Sequence, residues 1–235
     1  MTSILALDTS TDACSAALRR DGMLESRYQV LPRKHNHLLF SMLAELLPQG
    51  AADANIELLA YGHGPGSFTG LRIAASAVQG LAYTLGLPVA GVSTLACLAQ
   101  GALRRGVVAE GDRVLTLLDA RINEVYWGYY EFTDGIARRL VSDQVGPPAS
   151  LPLDLLAGNT VALGSGLVYF DALPTSVSAA VSDTAAGQWP DSVDLIPLAE
   201  QSAADGELVT AQEVQPIYLR NEIHWKKLSE QGPRA

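Results

Sequence analysis

Apolar runs separated by turn residues predict a three-stranded meander at the start of the chain. Residues 4–8 form a strand candidate that ends in the polar turn Asp8-Thr9-Ser10-Thr11-Asp12. Residues 14–18 and 24–30 are predicted to form two further strands. The Asp21-Gly22 pair between them is a good signal for a β-hairpin. Three antiparallel strands are therefore expected before Pro32 breaks the pattern.

Two stretches carry apolar residues at helical spacing. In residues 36–47, leucines recur every three or four positions, and Leu38 and Met42 form a second apolar stripe. Residues 71–85 are rich in Leu, Ala, Ile and Val, contain no proline and predict another helix. A helix with apolar residues on two sides is either buried or part of an interface.

The remaining pattern predicts an α/β chain built from two similar units. Strands at 56–61 and 88–92 and a helix at about 94–104 complete a β-β-β-α-β-α-β-α order. A second unit begins near Arg113 with a strand, a turn that carries Asp119 and another strand, as the first unit did. This similarity suggests a structural duplication.

The second unit is less regular towards its end. Its strand candidates are residues 114–119, 124–132, 139–144 and 160–163. Residues 173–196 show no clear period, and residues 197–204 predict a short helix with Pro197 in its first turn. We expect one lobe at residues 1–105 and another at 106–235, with the terminal segment packed back on the first lobe.

The glycine-rich stretch from Gly62 to Gly70 connects a predicted strand to the 71–85 helix, which is a usual place for a phosphate. It does not match a P-loop, because Leu71 and Arg72 follow its last glycine. Its Gly-x-Gly-x-x-x-Gly spacing is one residue too long for a dinucleotide fingerprint, and no acidic residue follows before Glu110.

The same stretch also lacks a nucleophile elbow, because Pro65 and Thr69 hold the places around Ser67 where glycines are needed. We therefore predict that Ser67 or Thr69 caps the helix. The stretch would then turn the chain sharply and direct the helix at a fixed angle, so that it positions an interface and does no chemistry.

Asp8, Thr9 and Ser10 are the candidate remnant of a phosphate loop. In two-lobed folds that bind ATP, such a hairpin grips phosphate while the Asp orients a metal or water. The alternative is a polar hairpin tip, which ordinary turn preferences favour. The matching turn of the second unit, residues 119–124, has no glycine and closes less readily on a phosphate.

Composition excludes several classes of function. The 235 residues are 48% hydrophobic and 17% charged, which suits a globular protein with a sizeable core. A net charge of −9 argues against wholesale nonspecific nucleic-acid binding. Cys14 and Cys97 form no metal or disulfide motif, and neither a signal peptide nor a membrane span is evident. We expect a soluble, cytoplasmic protein without a cofactor.

The histidines and the basic end of the chain are further candidate sites. His35 and His37 are two positions apart and would point in different directions on a helix, so no metal is expected. The terminal segment carries a short set of basic and aromatic residues: Tyr218, Arg220, Trp225, Lys226 and Lys227. It is either an RNA contact or an ordinary packed segment, and its small size favours the second interpretation.

Five motifs are spread along the chain: Ile4-Leu5-Ala6-Leu7-Asp8-Thr9-Ser10, the stretch from Gly62 to Ile73, Gly91-Val92-Ser93-Thr94-Leu95, Leu118-Asp119-Ala120-Arg121 and Pro216-Ile217-Tyr218-Leu219-Arg220. Together they resemble the TsaB (YeaZ) family, bacterial proteins of the tRNA threonylcarbamoyladenosine pathway. The likeness runs along nearly the whole chain. One departure is Ala74-Ala75, where relatives usually carry a glycine after Arg-Ile.

The resemblance implies a two-lobed fold of the actin/Hsp70/sugar-kinase type with a mixed β-sheet in each lobe. It also implies a non-catalytic paralogue of TsaD, the enzyme that transfers threonylcarbamoyl to an adenosine beside the tRNA anticodon, and a role in recruiting the TsaE ATPase. TsaD relatives hold a metal with an HxxxH pair. Leu39 and Ser41 stand here where a second histidine would be needed.

Our hypothesis from the sequence is a scaffold that binds its catalytic paralogue, or a second copy of itself, through the two apolar helices. The interface residues chosen are Leu38, Met42, Leu71, Ala75, Val78 and Ala82. Charged substitutions at Met42 and Val78 are then expected to abolish pairing and to leave the fold intact. The rival hypothesis is an enzyme that acts alone, either a metallopeptidase ("glycoprotease") or a small-molecule kinase.

Overall fold

The computed structural model describes residues 2–31, 35–152 and 159–220. In these residues the strands are β1 (Ile4–Asp8), β2 (Ala13–Arg20), β3 (Met23–Val30), β4 (Leu58–Gly64), β5 (Val89–Ser93), β6 (Arg113–Arg121), β7 (Glu124–Thr133), β8 (Ile136–Gly146), β9 (Thr160–Leu163) and β10 (Val181–Ala185). The α-helices are α1 (His35–Leu46), α2 (Phe68–Leu85), α3 (Thr94–Arg104), α4 (Thr175–Ala180) and α5 (Ser192–Ala204).

The strands form two sheets with the same topology. The first sheet has the order β3-β2-β1-β4-β5, and the second has the order β8-β7-β6-β9-β10. In each sheet the central strand pairs antiparallel with the next strand of the chain and parallel with the one after the meander: β1 with β2 and β4, β6 with β7 and β9. The predicted duplication and the predicted two-lobed α/β fold with mixed sheets are therefore confirmed.

Alternate side chains of β1 face opposite sides of the first sheet, so each side of the sheet packs against a different core. Leu5 and Leu7 of β1 face a core shared with α1 and α2, whereas Ile4 and Ala6 face the opposite core. That second core also holds residues of α3, α5 and β6, among them Leu195. Helices α3 and α5 therefore lie between the two sheets, and α5 joins the lobes although it comes from the second half of the chain.

The helix predicted at residues 197–204 begins earlier, at Ser192. Asp191 caps it, because its carboxylate accepts a hydrogen bond from the Val193 N–H at 3.1 Å. Pro197 consequently lies inside the helix and not in its first turn, so the predicted start was wrong. The cap and the burial of Leu195 and neighbouring residues offset the backbone hydrogen bond that a proline cannot donate.

Residues 173–196, whose sequence shows no clear period, contain α4 and β10. Short elements of five or six residues carry too few apolar repeats to show a period in the sequence. Across the described part of the chain, every helix is too short or too polar to cross a membrane.

The β6–β7 hairpin of the second lobe corresponds to the β1–β2 hairpin of the first lobe. The turn of the second lobe holds Arg121, Ile122 and Asn123 at φ values of 64°, 56° and 58°. Left-handed backbone is unfavourable for a β-branched residue such as Ile122, whose side chain is 79% exposed. The turn therefore does close without a glycine, at a cost in local strain.

Candidate partner-binding site

The glycine-rich turn packs directly on the β1–β2 turn. The Ser67 N–H donates to the Ser10 carbonyl at 2.7 Å, and the Thr9 hydroxyl donates to the Gly70 carbonyl at 2.7 Å. A Cβ added at Gly66 or Gly70 would lie 2.2 Å or 1.9 Å from a carbonyl oxygen of this neighbouring turn. These two glycines are therefore required for the close approach of two backbones.

Ser67 caps helix α2, because its hydroxyl accepts a hydrogen bond from the Gly70 N–H at 3.3 Å. This confirms the prediction that Ser67 or Thr69 has that role. The turn and its cap fix where α2 starts relative to the first sheet, so the exposed side of α2 is held in a defined orientation.

Asp8, Thr9 and Ser10 are completely buried. The Asp8 carboxylate accepts hydrogen bonds from the N–H and the hydroxyl of Ser10, at 3.0 Å and 2.9 Å. Burial raises the pKa of Asp8 to about 6, and the Ser10 hydrogen bonds partly oppose that shift. Phosphate binding by these three side chains stays a prediction, and their burial argues against it.

A polar seam joins the two lobes beside this turn. Ser93 and Tyr130 donate hydrogen bonds to the Asp143 carboxylate at 2.5 Å and 2.6 Å. Burial lowers the pKa of His63 to about 4, and the positive charge of Arg139 acts in the same direction. Burial also raises the pKa of Asp143. The seam links β5 of the first lobe to β7 and β8 of the second.

The described end of the chain crosses from one lobe to the other. The Ile217 N–H donates to the His63 carbonyl at 2.7 Å, and Arg220 donates to the Ala120 carbonyl at 3.2 Å and forms an ion pair with Glu124. Arg220 is therefore engaged within the chain.

Three of the candidates for RNA contact lie outside the described residues: Trp225, Lys226 and Lys227.

An apolar groove of about 1040 Å³ runs between α1 and α2 on the outer face of the first lobe. Its apolar lining includes Phe40, Leu43, Leu47, Ile73, Ala77 and Leu81, and Phe68, Thr69 and Arg72 stand at one end. Phe40 is 61% exposed and Phe68 is 50% exposed. Large exposed aromatic side chains around an apolar groove are typical of an interaction surface.

The interface residues chosen from the sequence do not line this groove. Five of them are at most 6% exposed: Met42, Leu71, Ala75, Val78 and Ala82. Met42, Ala75, Val78 and Ala82 belong to the core between α1, α2 and the sheet. Leu38 is partly buried against the same core. Pairing through these six residues stays a prediction, and their burial argues against it, because this side of α1 and α2 packs on the first sheet. The exposed stripe, which includes Ser76, is the one that lines the groove.

The histidines do not form a metal site in the described part of the chain. His35 is buried and His37 is exposed, so the two side chains lie in different surroundings. Within residues 2–31, 35–152 and 159–220, no three His, Cys, Asp or Glu side chains are grouped so that they could hold a metal ion.

Comparison with known proteins identifies the family. The chain is 38% identical to the tRNA threonylcarbamoyladenosine biosynthesis protein TsaB of Escherichia coli K12, over 231 residues that cover 96% of this chain and 97% of that protein. The chain belongs to the TsaB family. The TsaB protein of Haemophilus influenzae is 35% identical over 236 residues, with 96% of each chain covered.

Structural comparison agrees with membership of the TsaB family. YeaZ from Pseudomonas aeruginosa superimposes with a TM-score of 0.85 and 41% sequence identity, covering 93% of this chain and all of that one. Residues 28–180 also match the family model described as TsaD: tRNA N6-adenosine threonylcarbamoyltransferase. The resemblance drawn from the sequence motifs is therefore confirmed, and TsaB is related to the transferase family over most of its length.

Proposed function

We propose that this TsaB protein is a non-catalytic subunit in the formation of N6-threonylcarbamoyladenosine beside the anticodon of tRNA. It binds a TsaD-type catalytic paralogue through the groove between α1 and α2, and this pair recruits a TsaE-like ATPase. The observation that carries the proposal is the apolar groove itself, which residues 2–31, 35–152 and 159–220 leave open on the outer face of the first lobe.

The relationship to the TsaD model favours a homologous partner. The matched residues, 28–180, include both helices of the groove. A partner of the same family is therefore expected to carry an equivalent helix pair, which it can pack against α1 and α2 in a pseudo-symmetric bundle. In the absence of that partner, two copies of this chain would cover each other's grooves.

The site geometry favours a non-catalytic role. Asp8, Thr9 and Ser10 hold the position of a phosphate loop in the sequence, but the Thr9 and Ser10 hydroxyls bind partners inside the chain. Gly62 is packed against Asp8, since a Cβ at this glycine would lie 1.9 Å from the carboxylate. Little room is left beside Asp8 for a phosphate.

A charged substitution in the groove is expected to weaken partner binding without changing the fold. Ser76 is exposed and lines the groove, so Ser76→Asp is expected to fold normally and to bind the TsaD-type protein at least about tenfold more weakly, because a carboxylate would be buried against apolar side chains. Calorimetric titration with the TsaD-type protein of the same cell measures the affinity. Nucleoside chromatography of tRNA from the reconstituted reaction measures the loss of product.

Tyr83→Asp is the matched control, because Tyr83 lies on the same helix, is 74% exposed and does not line the groove. It should bind like the wild type. Failure of the wild type to bind the TsaD-type protein would contradict the proposal. Turnover of ATP or of a peptide by the purified chain alone would favour the enzyme hypothesis instead.

A further inference from the structure

Arg72 is the charged residue among those that line the described part of the groove. Its guanidinium carbon lies 3.6 Å from the centroid of the Phe68 ring, and its Nε donates to the Tyr218 hydroxyl at 3.0 Å. The Phe68 and Tyr218 rings are themselves 5.4 Å apart. The guanidinium is therefore held in place at the end of the groove by a stacking contact and a hydrogen bond.

The outer edge of this guanidinium is available to a partner. Arg72 is an exposed residue, and within the described residues its two Nη nitrogens make no hydrogen bond or ion pair. A guanidinium presents a planar pair of donors that matches a carboxylate, and it loses little freedom on binding when it is already held in place. Arginine is enriched among the residues that dominate binding, and complementary charges across an interface suppress wrong partners.

A second copy of this chain would not supply that carboxylate from its own groove. Helix α2 has no acidic residue, and the described residues that line the groove include neither Asp nor Glu. The acidic residue of α1, Glu45, forms an ion pair with Arg27 of β3 at 2.6 Å. When two grooves of this chain meet, each Arg72 is left without an acidic partner from the other groove.

We propose that Arg72 binds an Asp or Glu on the partner's helix and thereby selects the catalytic paralogue over a second copy of this chain. The inference rests on the proposed function and adds the chemistry of the partner surface. That surface is an apolar helical face with a carboxylate positioned to reach the N-terminal turn of α2. Specificity then comes from an ion pair that the described groove lining of a second copy does not supply.

The test compares two associations in one variant. Arg72→Met keeps an apolar side chain over Phe68 and removes the charge. We expect its affinity for the TsaD-type protein to fall at least about tenfold, while self-association measured by analytical ultracentrifugation is unchanged or stronger. The affinity of the variant for that protein should also depend less on salt than that of the wild type. Arg20→Met removes the same charge outside the groove and should leave both associations unchanged.

Tyr218→Phe separates partner recognition from bracing of the terminal segment, because it removes the hydroxyl that Arg72 contacts and keeps the ring. An equal loss of affinity in Tyr218→Phe and Arg72→Met would overturn the proposal in favour of a bracing role. Equal weakening of self-association and of partner binding would also overturn it. If Ser76→Asp loses the partner and Arg72→Met keeps it, this inference fails and the proposed function stands.

Discussion

The Val78→Asp variant is expected to be unfolded at room temperature, whereas Ser76→Asp, two positions earlier on the same helix, should fold. Val78 is 0% exposed and packs in the core between α1, α2 and the first sheet. An unpaired carboxylate at that position costs several kcal/mol, which is a large part of the roughly 5–15 kcal/mol that stabilises a typical domain. Circular dichroism and the yield of soluble protein measure the difference.

Val78→Ala provides a graded control for this prediction. It removes buried methyl groups without adding a charge, so it should fold and lower the free energy of unfolding by about 1–3 kcal/mol. A Val78→Asp protein that melts cooperatively near the wild-type temperature would contradict the burial of this residue. That result would restore the sequence-based expectation that a charge at Val78 disrupts pairing alone.

The same helix shows what the sequence could not decide. Its composition and spacing predict α2, but both of its stripes are apolar: Val78 and Ala82 lie on one, Ile73 and Ala77 on the other. Periodicity shows that a helix has two such faces and does not show which one covers the sheet. The direction in which the glycine turn starts α2 decides this, and that direction depends on tertiary contacts.

Those contacts join residues that are far apart in the sequence. Thr9 and Gly70 are hydrogen-bonded across 61 positions, so the reason for the glycine at position 70 is invisible in a local pattern. Local signals were sufficient elsewhere: Asp21 and Gly22 both have positive φ in the predicted hairpin, and Ser67 caps α2 as predicted. The left-handed turn at Ile122 runs against local preference and could not be predicted from it.

The Asp8→Asn variant is expected to be more stable than the wild type at about pH 8. Burial raises the folded-state pKa of Asp8 to about 6 from an ordinary 3.8, so the ionised carboxylate destabilises the folded protein above that pH. A shift of this size corresponds to about 3 kcal/mol at most, and we expect a gain of about 1–3 kcal/mol. The amide oxygen of asparagine can still accept the Ser10 N–H that Asp8 binds.

The pH window distinguishes this effect from ordinary changes in packing. As the pH falls from 6 towards 3.8, Asp8 takes up its proton in the folded protein and its destabilising effect is relieved, so the advantage of the variant should disappear near the lower value. The pH dependence of wild-type stability alone does not isolate the contribution of Asp8. His63, whose pKa is lowered from 6.5 to about 4, makes the folded protein lose stability over nearly the same fall in pH.

Urea unfolding of the variant and the wild type at a series of pH values gives the difference directly, and the His63 contribution cancels in it. Asp171→Asn, which replaces an exposed carboxylate, is the control and should show no comparable gain. A gain for Asp8→Asn that is equally large at about pH 4 and pH 8 would show that its cause is packing. A loss at about pH 8 that shrinks as the pH falls would mean that the negative charge of Asp8 stabilises the turn it shares with Ser10, and that the glycine turn of α2 rests on an ionised carboxylate.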